Sequence, residues 1–148
     1  LMRIRMGYPS EEDEKDIIRA GINYEFAENL APVLGGEEIL ELQKVVEKVK
    51  VEEILLSYLM AIVKGTRESE YLDLGVSPRG AMALHRSAQA LALLRGRDYC
   101  VPDDIKALAV AVLAHRLLVS SQYSSPLHRS EESEAIVSEL ISHIPVPI

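Results

Sequence analysis

Apolar positions along the chain recur mostly every three or four residues, the period of helices that bury one face. Glu37 to Val49 places Ile39, Leu42, Val45, Val46 and Val49 in one such stripe. Val51 to about Lys64 repeats it with Leu55, Tyr58, Leu59 and Ile62, and Gly65 reads as the stop. After Pro78, the small residues Ala81, Leu84, Ala88, Leu91 and Ala92 make a face that lets another helix approach closely. From Pro102, Ile105, Leu108, Ala109, Val112 and Leu113 complete a full i, i+3, i+4, i+7, i+8 stripe with a thin polar face, which predicts a central helix. A last helix is expected from about Ser130 to His143, with Ile136, Val137, Leu140 and Ile141 apolar and Pro145 and Pro147 as stops.

Terminal signals sharpen the boundaries. Ser10 precedes an acid-rich turn with Asp13 at a capping-box-like position, and Gly21 ends that short, exposed helix. Ser77 and Pro78 form an N-cap followed by a proline at the first helical position, where the missing N–H costs nothing. Residues 22–36 read as irregular, with Pro32 and the Gly35-Gly36 pair as breakers, and "SSQYSSPLHRS" as a loop. The opening "LMRIRMGYP" departs from all this: Met2, Ile4 and Met6 alternate with Leu1, Arg3 and Arg5 at the period of a strand. No later segment reads as its partner, so it is either a strand whose sheet lies upstream or an extended arm. The chain begins at Leu1 and reads as a fragment. The predicted fold class is all-α, a small bundle of about six helices over residues 10–148, preceded by a remnant strand over residues 1–9.

Length and composition exclude several functions. The 148 residues suffice for one domain with a real core. A net charge of −7 argues against general nucleic-acid binding, which rests on clustered Lys and Arg. Cys100 is the only cysteine, which excludes an internal disulfide and fits a reducing cytoplasm. No apolar run approaches the roughly 18 residues of a membrane span. His85, His115, His128 and His143 never fall at the i, i+4 spacing of a helical zinc pair, so no metal site is expected. His115 and Arg116, late in the helix from Pro102, are expected to complement the negative C-terminal end of that helix. A phosphate loop, a nucleophile elbow and a nearby Cys/His pair are all missing, so the chain alone is not expected to catalyse a reaction.

Arg79 is the residue that local rules leave unexplained. It lies in the first turn of the helix after Ser77, where the partial positive charge of the terminus favours an acid. One reading is an exposed surface arginine. The other is an anion site, above all for phosphate, in which the guanidinium and the free N–H groups of the turn converge while Gly80 leaves room.

Taken together, these residues resemble the lid of MoxR-type AAA+ ATPases. "LMRIRMGYPSEEDE" is similar to the end of that family's nucleotide-binding core. "PVLGGEEILELQKVVEKVKV", "YLMAIVKGTRE", "LDLGVSPRGAMALHRSAQALALLRGRDYCVPDDIKALAVAVLAHRLLV" and "SELISHIPVP" follow the lid in the same order. Magnesium chelatase ATPase subunits share the general plan. The resemblance implies that Arg79 corresponds to the second sensor arginine, the catalytic residue that reaches from the lid to the γ-phosphate of ATP. Ser77, Pro78 and Gly80 would shape the nucleotide-binding turn with it, Gly75 and Gly80 would relieve crowding, and Arg67 is a weaker candidate for a subunit contact. It further implies a parent that uses ATP and Mg2+. The expected partners are its own core, neighbouring subunits of a ring (a hexamer is expected), and a client protein, with a von Willebrand factor A-domain protein beside it. The chain would then couple hydrolysis to remodelling or cofactor insertion, without nucleic acid or membrane. The competing function is a free-standing helical adaptor that never meets nucleotide.

Overall fold

The computed structural model of the chain describes residues 1–21, 30–123 and 129–147, with no side-chain description at Arg129. Part of the expected irregular stretch, and part of the loop before the last helix, including His128, lie outside these residues. Helix α1 (Glu11–Ala20) starts where expected. Ser10 Oγ accepts the Asp13 N–H, and Gly21 takes a positive φ of 63° to end the helix. The helix buries none of its residues.

Helix α2 (Gly36–Val46) is shorter than its stripe suggests. Ile39, Leu42 and Val45 stay 41–45% exposed, and Val49 is buried only after the helix has ended. Long-range bonds outcompete the helix there. Gln89 Nε2 donates to the Val49 carbonyl (2.8 Å), Lys50 N–H donates to Asp98 O, and Cys100 N–H donates to Lys50 O, both at 2.9 Å. Helix α3 (Glu53–Glu68) instead runs beyond the expected stop at Gly65. Its continuation buries Thr66 completely beside Ile62 and Val63, and that packing outweighs the ~1 kcal/mol helix penalty of one glycine.

A short antiparallel ribbon then pairs β1 (Leu72–Leu74) with β2 (Leu118–Val119), in register Leu72 with Val119 and Leu74 with Leu118. Strands this short carry no sequence period. Between them come α4 (Pro78–Leu94), α5 (Pro102–Leu113) and a 3-10 turn at Ala114–Arg116; α6 (Arg129–His143) follows. Helix α5 is central as expected. Ile105, Ala109, Val112 and Leu113 are fully buried, and α5 packs on α3, α4 and α6. The core also takes Leu84, Ala88 and Ala92 from α4 and Val137 and Ile141 from α6. The last helix therefore packs on this domain. Six helices and one small ribbon among the described residues make the fold a mostly-α bundle.

Asp104 fixes the α4–α5 connection. Fully buried, it accepts the Val101 N–H (2.9 Å) and bonds from Arg97 (2.7 and 2.8 Å) and Arg95 (2.9 Å). Burial opposes its charge, but these bonds and the two guanidinium charges outweigh that and hold its carboxyl below the usual range. Residues 1–9 form no ladder with a described strand and lie along α5 and α6. Arg3 N–H donates to Ala111 O (2.8 Å), and Arg3 and Arg5 both reach Glu134 and Ser130. No helix of the described residues is long and apolar enough to cross a membrane.

Candidate functional site

The start of α4 is built from behind by the last turn of α3. Thr66 Oγ1 accepts the Val76 N–H (3.0 Å) and donates to Val63 O (2.6 Å). Arg67 Nε donates to the Val76 carbonyl (2.8 Å). Both backbone groups of Val76 are thus tied to neighbouring residues of one helix. The tie requires Gly75, because a Cβ there would lie 2.7 Å from Arg67 Cα and Thr66 O and 2.8 Å from Arg67 N. Such contacts are well inside the ordinary 3.5–4.0 Å separation of packed atoms.

From that anchor Ser77 takes an extended N-cap conformation (φ −73°, ψ 162°), and its Oγ accepts the Gly80 N–H (3.3 Å). Pro78 has no N–H to offer, so the first turn leaves the Arg79 N–H. The sequence reading gave Gly80 the role of leaving room for an anion. In the structure Gly80 is buried and a Cβ would point inward, 2.7 Å from Val76 Cγ1 and 3.4 Å from Arg116 Cδ. Its small size serves the packing of the turn against the 3-10 segment. Arg67, considered as a subunit contact, is engaged through Nε within its own domain.

Arg79 is exposed and makes no hydrogen bond or ion pair with a described residue. It lines a recess of about 220 Å3 together with Leu1, Met82, Ala83, Arg86 and Arg116. Three arginines therefore border one concavity that has no carboxylate in its lining among the described residues, in a chain whose net charge is −7. Arg86 is likewise without an ion pair among the described residues. Arg116 is held: Nε donates to Val112 O (2.8 Å) and Nη2 to Leu1 O (2.7 Å). The first of these bonds meets an end carbonyl of α5, as its position in sequence suggested. Burial, then the charge of Arg116, pushes His115 below the ordinary histidine range, so this neighbour adds little positive charge at neutral pH. His85 is lowered by burial and then by Arg86. The recess favours an anion with several oxygens, since each guanidinium presents planar N–H donors.

Sequence reasoning missed Arg86 and Arg116 as members of this site. The i, i+7 spacing of Arg79 and Arg86 along one helix was available as a signal; Arg116 arrives from another element and left none. Among the described residues no three His, Cys, Asp or Glu side chains come together as a metal site.

A family model described as the AAA lid domain matches residues 64–140. The uncharacterized protein YeaC of Bacillus subtilis (strain 168) is 39% identical over 148 residues, covering 100% of this chain and 45% of its own length. Chaperone MoxR1 of Mycobacterium tuberculosis is 35% identical over 130 residues, 81% of this chain and 34% of the relative. A solved structure from Cytophaga hutchinsonii, of a protein assigned as an ATPase, superposes with a TM-score of 0.80 at 26% identity, covering 99% of this chain and 46% of the other. The chain thus spans less than half the length of each.

Proposed function

The chain belongs to the AAA lid domain family and to its MoxR-type AAA+ ATPases, and from that premise we propose that it senses bound ATP through Arg79. In this reading the guanidinium reaches the γ-phosphate of ATP held by the parent's core. The carrying observation is an exposed arginine without an acidic partner among the described residues, on a turn that Thr66, Arg67 and Ser77 anchor through Val76 and Gly80, beside a recess whose charged side chains are arginines. Phosphoryl transfer is catalysed largely by positioning and by charge placed around the transferred group, and a lid arginine supplies both. Arg79 stabilises the anion in place of the carboxylate that a helix N-terminus ordinarily attracts. Loss of that anion after hydrolysis releases the lid, and in a ring of subunits the movement passes to the neighbouring core. A client protein, with a von Willebrand factor A-domain partner, would receive that work as remodelling or cofactor insertion in the cytoplasm. Among the described residues the acidic side chains do not converge as Mg2+ ligands.

The test is made in the full-length ATPase. Arg79→Ala is expected to lower steady-state hydrolysis by about 10²–10³-fold, on the order of 2.7–4 kcal/mol for one preorganised donor to developing charge. Nucleotide affinity should change much less. Arg79→Lys should restore only part of the rate, because lysine lacks the planar fork. Unchanged hydrolysis in Arg79→Ala would refute the sensing role and favour an adaptor without nucleotide.

A further inference from the structure

Away from the arginine recess, the other side of α3's last turn meets α6 in a groove. Two concavities of about 490 and 410 Å3 share Tyr71, Ile136 and Glu139 and so run into one another along α6. The floor is apolar, with Leu140 at one end and Val119 at the other. Tyr71 and Tyr123 meet edge to face with ring centroids 5.0 Å apart, and both remain exposed, 43% and 51% respectively.

The rim is anionic. Glu68, Glu70 and Glu139 stand around the apolar floor, and among the described residues the lining contains no lysine or arginine. Among the described residues Lys64 approaches Glu68 at 3.6 Å, an exposed pair of little strength. His143 lies at the far end, its Nδ1 against the Glu139 carbonyl (2.9 Å). A nucleotide or other anion is repelled here, and a purely apolar segment would leave the carboxylates uncompensated. We propose that this groove docks a short peptide segment of a partner protein, one that carries an apolar or aromatic anchor flanked by lysine or arginine. The anchor enters beside Tyr71 and Ile136, and the flanking cations meet Glu70 and Glu139. The partner class follows from charge complementarity, which sets specificity and encounter rate more than raw affinity. It is independent of the ATP-sensing role of Arg79.

The probe is the peptide acetyl-Lys-Lys-Leu-Phe-Lys-Lys-amide, fluorescently labelled and titrated with the 148-residue chain. Replacing its Leu-Phe by Ser-Ser should weaken binding about tenfold. Glu70→Gln/Glu139→Gln in the protein should do the same, whereas Glu12→Gln/Glu14→Gln on the distant α1 removes equal charge and should change Kd less than about twofold. All four carboxylates are on exposed residues, so melting temperatures should stay together. Equal weakening by both double variants would reduce the effect to net charge and overturn the proposal. Equal binding of the Ser-Ser peptide, or no binding at all, would do so too. A concentration-dependent dimer lost in Glu70→Gln/Glu139→Gln would assign the groove to a second copy instead.

Discussion

Gly75→Ala is the sharpest perturbation of the turn that positions Arg79. The added methyl would meet backbone, not a side chain that can swing away: Arg67 Cα and Thr66 O at 2.7 Å, and Arg67 N at 2.8 Å. Reaching ordinary contact requires a separation of roughly 0.7–1 Å between the two segments. That movement strains both bonds to Val76, whose residue is only 1% exposed. Overpacking costs about 1–3 kcal/mol, and a buried N–H left without its partner costs about 1–3 kcal/mol. The two costs describe one displacement and do not simply add. Alanine also restricts the unfolded chain, which returns roughly 0.4–1 kcal/mol. The expected net loss is about 2–3 kcal/mol, a fall in Tm of roughly 5–10 °C for a domain of this size.

Calorimetric or circular-dichroism melting of the 148-residue chain measures this directly. Thr66→Val is the companion, since it removes the hydroxyl that accepts the Val76 N–H without inserting an atom. If both changes act on one tie, the double variant should lose less than the sum of the single losses. In the full-length ATPase the same displacement should cut hydrolysis by up to about 10²-fold, the cost of misplacing a reacting contact by ~1 Å. A Gly75→Ala chain that melts within about 2 °C of the original would refute the account of the anchored turn.

Two further outcomes follow from named contacts. Asp104→Asn removes the charge-assisted bonds to Arg95 and Arg97 and should cost about 2–3 kcal/mol, read by denaturant unfolding. Because the folded carboxyl titrates below its unfolded value, its contribution is complete above about pH 5 and is lost as pH falls through the folded value. The Asn variant should therefore show a shallower loss of stability on acidification, and an unchanged slope would contradict the assignment. Deleting residues 1 to 8 removes Arg3 N–H to Ala111 O, the Leu1 carbonyl that Arg116 bonds, and the exposed contacts of Arg3 and Arg5 with Glu134 and Ser130, about 1–2 kcal/mol net. A fall in Tm of more than about 8 °C would show that the segment is integral to the bundle.

Local chemistry explains why much of this fold was legible in the sequence. Ser10 and Gly21 bound α1, Ser77 and Pro78 start α4, and the stripe through Ile105, Ala109 and Val112 marked α5 as central. Each of these signals acts within a few residues. What escaped was decided at a distance. The end of α2 is set by Gln89 and residues 98–100, and Gly65 stays helical because Thr66 is buried. The site divides in the same way. Arg79 stood out because its charge contradicts its place in a helix, a local conflict. Arg86 follows it at i+7 on the same helix, a spacing open to sequence reading, whereas Thr66 and Arg116 join it only through tertiary contacts, which no spacing reveals.

The geometry of α3's last turn gives that division a functional consequence. Residues three and four apart share a helix face, so Gly65, Glu68 and Ser69 look toward the acidic groove. Thr66 and Arg67, interleaved between them, hold Val76. One turn of helix thus carries the groove wall and the anchor of Arg79, with no flexible segment between. An occupant that shifts this turn must shift the start of α4, because Gly75 leaves no slack against the Thr66 and Arg67 backbone. If such a shift changes anion affinity at Arg79 by some factor, an anion held there changes affinity in the groove by the same factor, since linkage is reciprocal. On the two proposals together, a packed helix end would connect a partner on one side of the lid to a nucleotide on the other.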